Sequence, residues 1–255
     1  MAELALEVRR VRKEFKGGIV ALDGIDLEVR RGELICLLGP SGCGKSTLLN
    51  AIAGFTQPTS GEILAFGKRV VRPEPERAMV FQEYALFPWM TVRDNVAFGL
   101  RIRRDREARA KADALLDKLA LRGFGDRFPK DLSGGMRQRV ALARCLALDA
   151  PMLLMDEPFG ALDALTRRSM QDELLRIWTE LKQTIAFVTH GIEESLLLAD
   201  RVVVMTYRPG TVKKIIPVAL PRPRDETTPE FSAALRAITQ MVREEQRRHE
   251  QAEQT

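Results

Sequence analysis

Residues 39–46 read Gly-Pro-Ser-Gly-Cys-Gly-Lys-Ser. This G-x-x-x-x-G-K-[ST] pattern constrains the fold more than any other feature of the chain, because it has meaning only between a strand and a helix. Leu34-Ile35-Cys36-Leu37-Leu38 before it reads as a buried strand, and Thr47-Leu48-Leu49-Asn50-Ala51-Ile52-Ala53 after it reads as a helix. Three glycines let the backbone pass close to an anion and turn successive N–H groups into one concavity. The helix start adds unpaired N–H groups and the positive end of its dipole. In such a loop Lys45 reaches the β- and γ-phosphates of a nucleotide, and the Ser46 hydroxyl ligates Mg²⁺. The expected nucleotide contacts run through Gly39, Pro40, Ser41, Gly42, Cys43, Gly44, Lys45, Ser46 and Thr47.

The rest of the chain is compatible with a folded enzyme. Its 255 residues suffice for one large or two modest domains, and 45% hydrophobic with 29% charged residues excludes a disordered chain. A net charge of +5 is too mild to imply nucleic acid, and it suits polyphosphate or an anionic membrane surface equally. Cys36, Cys43 and Cys145 show no C-x-x-C spacing, which points to a reducing compartment without disulfides or zinc. The start, Met1-Ala2-Glu3-Leu4-Ala5-Leu6-Glu7, lacks the basic and long apolar segments of a secretory signal. Apolar runs such as Val202–Met205 fall far short of the ~20 residues that span a bilayer. A cytoplasmic chain is expected, unless a partner holds it at a membrane.

Further along, residues 6–11 and 25–30 read as strands, the second with period-two alternation. Phe15 between them reads either as a stacking platform for a purine or as a core or edge aromatic; the residues alone favour the second. Met79-Val80-Phe81 is a short apolar run that ends at Gln82. Tyr84-Ala85-Leu86-Phe87-Pro88-Trp89-Met90 suits neither helix nor strand, and reads as a surface for a partner element or as the core of a local helical subdomain. Residues 91–121 read as charged helix, with Arg101–Glu107 as a solvated face and Leu115, Leu116 and Leu119 as its buried stripe.

Two later stretches carry chemistry. Leu132-Ser133-Gly134-Gly135-Met136-Arg137-Gln138-Arg139 is a second helix start suited to an anion, with Ser133 as N-cap, and its helix runs to about Ala150. Met152-Leu153-Leu154-Met155-Asp156-Glu157 is an apolar strand that delivers two carboxylates at its C-terminal end, where ligands of open α/β sheets bind. There Asp156 would hold Mg²⁺ through water, and Glu157 would polarise the attacking water. Thr184–Thr189 is another buried strand, and it ends in His190, either a γ-phosphate sensor or an incidental residue. Pro221-Arg222-Pro223-Arg224-Asp225 reads as a linker, followed by a short amphipathic helix on Phe231, Leu235, Ile238 and Val242 and a polar tail that frays.

Taken in order, these motifs resemble the ATPase subunits of ABC transporters over roughly residues 6 to 245. Gly39–Ser46 resembles Walker A, Gln82 the Q-loop glutamine, Leu132–Gln138 the signature sequence, and Met152–Asp156 Walker B with Glu157 in the place of the catalytic glutamate. Ala161-Leu162-Asp163 resembles the D-loop, His190 the switch histidine, and Phe15 the adenine-stacking aromatic. The resemblance implies an α/β fold: a P-loop NTPase (RecA-like) mixed-sheet core with an antiparallel β subdomain and an inserted α-helical subdomain at about 83–140. The ATPase domain would occupy residues 1–220, and a linker with a helix and polar tail residues 221–255.

The resemblance further implies a head-to-tail dimer, most simply of two identical chains. Two ATP molecules would lie between Walker A of one copy and Ser133, Gly134, Gly135 and Gln138 of the other. Mg²⁺ would be held by Ser46, Gln82 and Asp156, and Asp163 would report closure. Phe81–Trp89, Asp156–Asp163 and Leu220–Arg224 look like bacterial importers of the nitrate, sulfonate and taurine group. That analogy adds transmembrane permease subunits, an extracytoplasmic solute-binding protein, a place on the cytoplasmic face of the membrane, and no nucleic acid. Met136 replaces a frequent glutamine, and Gly191 a frequent acid that would have added charge beside His190. An exporter or lipid-handling ATPase would share this chemistry. A repair or translation ATPase would bring two sets of motifs or a long coiled coil, and a P-loop kinase or GTPase would not explain Leu132–Gln138.

Overall fold

The structure is a computed structural model that describes residues 3–253; Met1, Ala2, Gln254 and Thr255 lie outside the described residues. The first half runs β1 (Leu4–Phe15), β2 (Ile19–Arg30), β3 (Leu34–Leu38), α1 (Lys45–Ala53), β4 (Ser60–Ala65), β5 (Lys68–Arg69), β6 (Arg77–Val80), α2 (Val92–Ile102) and α3 (Ala108–Lys118). It continues with α4 (Gly134–Leu146), β7 (Met152–Asp156), α5 (Ala164–Leu181), β8 (Thr184–Thr189), α6 (Ile192–Leu198), β9 (Arg201–Met205), β10 (Val212–Pro217) and α7 (Pro229–Glu253). The chain forms two compact units: one joins the segment through Pro73 to the segment from Thr184 onward, and the other is Glu74–Gln183.

In the first unit, β3 is buried along its whole length, as five successive apolar residues require. It pairs in parallel with β8 and with β9, while β10 adds antiparallel to β9, so the sheet is mixed. Leu38 lies opposite Thr189 on one side and Val204 on the other. The loops that follow the three parallel strands therefore leave the sheet side by side, at its C-terminal edge. A separate antiparallel sheet has the order β2-β1-β4-β5. The entry to β3 is fixed by the half-buried pair Arg201–Glu33, bidentate at 2.5 and 2.8 Å, and by Asp200, which accepts the Leu34 N–H at 2.9 Å.

The second unit sets β6 parallel to β7, with Val80 opposite Met155, so Gln82 and the carboxylates after β7 share one edge. The charged run 91–121 is two helices rather than one. Arg104 takes a left-handed conformation (φ 59°), and Asp105 accepts the Glu107 N–H at 2.8 Å, so most of Arg101–Glu107 is the turn between α2 and α3. The α4 helix ends at Leu146, a turn earlier than the proline at 151 suggests, with Asp149 left-handed (φ 51°).

The C-terminal helix is long, 25 residues, not short. Thr228 Oγ1 accepts the Phe231 N–H at 3.3 Å as N-cap, and Pro229 takes the first helical position. Phe231, Ile238, Val242 and then Glu245 are buried in sequence, so a carboxylate carries the docked stripe into the polar region. The preceding linker is also structural. Arg224 is buried and donates to Leu196 O (2.6 Å) and Leu197 O (3.1 Å); Arg222 donates to Leu198 O (2.5 Å) and Asp200 (2.6 Å). Together they cap the C-terminal carbonyls of α6, where cations suit the helix dipole. Burial pushes the Arg224 guanidinium down to about 10, and it stays charged at neutral pH. Arg224→Ala is expected to lower stability by about 2 kcal/mol, read as a shifted urea midpoint, with Arg224→Lys recovering only part because it lacks the fork. An unchanged midpoint would make the cap idle.

Candidate functional site

The phosphate loop leaves β3 and enters α1 through Gly44, whose φ of 96° is a left-handed conformation that a side chain would resist. Gly42 is likewise left-handed (φ 76°), and the alternation of backbone hand forms a nest of N–H groups. Lys45 is 5% exposed, and its ammonium donates to Gly39 O at 2.8 Å and Pro40 O at 2.9 Å. The cation is thus held at the loop by carbonyls that a phosphate can replace. Cys43 Sγ lies 3.8 Å from the ammonium, and burial pushes the thiol's pKa up.

His190 follows β8 and is exposed, beside the phosphate loop because Leu38 and Thr189 are in register. The backbone after it is held by hydrogen bonds. Gly191 is extended, and its N–H donates to Thr189 Oγ1 at 2.9 Å; that hydroxyl in turn donates to Glu194 in the first turn of α6. The negative charge missing at 191 is therefore present one turn later, in Glu193 and Glu194. Phe15 ends β1 opposite Ile19, and it is no core residue: it is 45% exposed, with Lys13 Nζ 5.2 Å from the ring centroid.

In the second unit Gln82 is exposed just beyond β6. The stretch behind it turns tightly through Tyr84 (φ 40°) and Ala85 (φ 47°). Two residues that the sequence did not single out hold it. Arg144 on α4 donates to Ala85 O (2.7 Å) and Tyr84 O (3.1 Å), and burial lowers its pKa. Fully buried Asn95 accepts the Phe87 N–H (2.8 Å) and donates to Phe87 O, Met90 O and Thr91 O. The aromatic stretch is both core and surface: Phe87 packs on Phe98 at 4.6 Å, whereas Trp89 is 70% exposed.

Ser133 caps α4 as expected, its Oγ accepting the Met136 N–H at 3.3 Å. Gly135 abuts Thr166 in the first turn of α5, which brings the signature stretch to Asp163. Gln138 is fully buried, and its amide has no hydrogen-bond partner among the described residues. Asp156 ends β7, and Glu157 follows in a left-handed conformation (φ 44°), a strained geometry of the kind that collects at functional sites. Arg167 braces the next turn by donating to Phe159 O (3.2 Å) and Leu162 O (2.7 Å). Its signal in the sequence is a cation in a helix's first turn, where the dipole disfavours it. Asp163 is the N-cap of α5 and accepts the Thr166 N–H at 3.0 Å. No group of three or more His, Cys, Asp or Glu side chains able to hold a metal occurs among the described residues. Ser46 in the first unit can offer a hydroxyl, and Gln82 and Asp156 in the second an amide oxygen and a carboxylate, the hard oxygen donor types that Mg²⁺ takes.

A strand, a glycine nest and a helix that starts on a buried lysine define a P-loop nucleotide-binding protein. The sequence matches the ABC transporter family over residues 22–160, and the chain belongs to that family as an ATP-binding, ATP-hydrolysing subunit. It is 49% identical over 235 residues to a putative ATP-binding protein of Brucella abortus, covering 90% of each chain. It is 50% identical over 222 residues to the taurine import ATP-binding protein TauB of Roseobacter denitrificans, covering 84% of this chain and 81% of that one. Among solved structures it is similar to the dimeric post-hydrolysis ATP-binding cassette MJ0796 bound to ADP and Pi, at 31% identity and a TM-score of 0.73 over 84% of this chain and 98% of that one. It is also similar to cbiO1 of Clostridium perfringens, part of an ABC transporter complex, at 30% identity and a TM-score of 0.77 over 85% and 89%.

The bonds from the Thr166 backbone to Asp163 hold that carboxyl below the usual carboxylate range. A depressed folded pKa gives stability that is present above the unfolded pKa of ~3.9 and fades as pH falls through the folded value. Asp163→Asn keeps a cap that does not titrate. Urea unfolding should show the wild type losing ground to Asp163→Asn as pH falls from about 5 to about 2. A constant difference across that range would contradict the cap.

Proposed function

We propose that the chain powers a bacterial importer for taurine, a sulfonate, nitrate or a similar small solute, bound at the cytoplasmic face of the membrane to transmembrane permease subunits. An extracytoplasmic solute-binding protein would deliver the solute to that permease. The observation that carries the reading is the 50% identity to the taurine import protein over 222 residues. The exposed Trp89 on a segment braced by Asn95 and Arg144 supports it, because a rigid apolar surface suits a permease element. Among the described residues no helix is long and apolar enough to cross a membrane, so the membrane part belongs to a partner in this reading.

ATP would lie on Walker A, from Gly39, Pro40, Ser41, Gly42, Cys43 and Gly44 through Lys45, Ser46 and Thr47, with adenine on Phe15. Its phosphates would displace the Gly39 and Pro40 carbonyls from Lys45. Mg²⁺, with Ser46, Gln82 and Asp156 as its oxygen donors, would offset charge on the phosphates. Glu157 would orient and polarise water, and His190 would sense the γ-phosphate; phosphoryl transfer needs little beyond such positioning and charge stabilisation. Ser133, Gly134 and Gly135 would meet the γ-phosphate of a second copy, with Gln138 behind them and Asp163 at the seam.

Glu157→Gln should slow turnover by at least about 100-fold while ATP stays bound and a closed dimer accumulates on a sizing column. Turnover at the normal rate would remove the general-base role. Affinity purification should bring down a hydrophobic permease, and vesicles of that complex should take up the solute when ATP is present. Recovery of ribosomes or DNA instead would overturn the transport reading.

A further inference from the structure

The loop between β9 and β10 grips the phosphate loop from outside, and α7 grips that loop in turn. Arg208 Nε donates to Gly42 O at 3.0 Å. Gly210 comes so close that a Cβ there would lie 2.1 Å from the Cys43 carbonyl oxygen. Its N–H donates to Ala21 O, and its C=O accepts the Asp23 N–H, both at 3.0 Å. Two successive carbonyls of the nest, at 42 and 43, are thus braced on one side. A trans peptide points its N–H opposite to its C=O. Bracing the Gly42 carbonyl therefore aims the Cys43 N–H to the other side, where it reaches Pro40 O at 3.4 Å.

The other end of this brace is a buried charge that phosphoryl transfer does not use. Glu245 on α7 is 1% exposed. Its Oε2 accepts the Tyr207 N–H at 3.2 Å, and its Oε1 accepts from Lys213 at 2.9 Å and from Arg248 at 3.1 Å. Burying a carboxylate is costly, and Phe231, Ile238 and Val242 already dock the helix without one. What the carboxylate adds is direction: it fixes the backbone at Tyr207, one residue before Arg208.

We infer that Arg208 is a positioning residue for the phosphate loop and that Glu245 sets its place, so that the C-terminal helix tunes nucleotide affinity. The inference rests on residues 39–46 being the nucleotide site. The test uses the full chain, with Mg²⁺ and a fluorescent ATP analogue titrated at equilibrium and steady-state ATPase kinetics alongside. Arg208→Ala should weaken binding about fivefold and raise KM by a like factor, with kcat nearly unmoved; Arg208→Lys should recover part of the loss. Glu245→Gln should give a smaller loss of the same kind, and the double variant should be no weaker than Arg208→Ala alone, because both act through one contact. Glu245→Asp, which keeps the charge and shortens its reach, replaces Glu245→Gln if that variant does not fold.

Wild-type affinity in Arg208→Ala would overturn the inference, and so would multiplying losses in the double variant. Lys45→Ala separates the two claims. If it abolishes binding while Arg208→Ala binds normally, the inference fails alone. If Lys45→Ala binds normally, the site reading itself fails.

Discussion

Everything in this chain depends on keeping one ammonium and a row of backbone amides ready for a polyanion that is not always there. A cation beside several N–H donors would repel them and seek water. Here Lys45 rests on the carbonyls of Gly39 and Pro40 and stays buried. That arrangement costs little to undo, because a phosphate oxygen is a stronger acceptor for an ammonium than a neutral carbonyl. The surroundings of the loop hold its backbone in place. The β3 strand behind it is wholly apolar and buried, and neighbouring parallel strands fix its end in register.

Each compact unit sets its own candidate site residues at the C-terminal edge of parallel strands. In the first, the phosphate loop and His190 leave adjacent parallel strands at the same edge. In the second, Gln82 and the pair Asp156 and Glu157 do so from β6 and β7. Arginines brace the turns beyond those edges from behind: Arg144 behind the glutamine loop, Arg167 behind the glutamate turn, and Arg222 with Arg224 behind the helix that follows His190. Each donates to backbone carbonyls rather than to a carboxylate or, in Arg222, to both. Planar, multidentate donors hold irregular backbone where helix and sheet ladders cannot.

Elements with strong periodicity or obligatory neighbours were legible in the sequence. The buried strands at 34–38, 152–156 and 184–189, the capped helix at Ser133 and the glycine loop all follow from local pattern. What was not legible depends on distant partners. Arg144 and Asn95 act on residues 84–91, and their effect is invisible until α2 and α4 pack together. The stretch Pro221–Asp225 reads as a linker, yet its arginines end a helix that lies well before it in the chain, as the Arg224–Leu197 and Arg222–Leu198 bonds show. The C-terminal helix was underestimated because its buried stripe continues through Glu245, a residue that periodicity counts as polar. For Phe15 the local pattern leaves core, edge and stacking roles open, and its 45% exposure removes only the core reading.

In the proposed function the phosphate loop is half a site, which Ser133–Gly135 of another copy would complete. The most direct measurement is ATPase activity per chain as the protein is diluted, followed against its oligomeric state by light scattering or sedimentation. The account predicts that activity per chain falls as dimers dissociate, and that it returns on concentration. Constant activity per chain in a sample shown to be monomeric would contradict it.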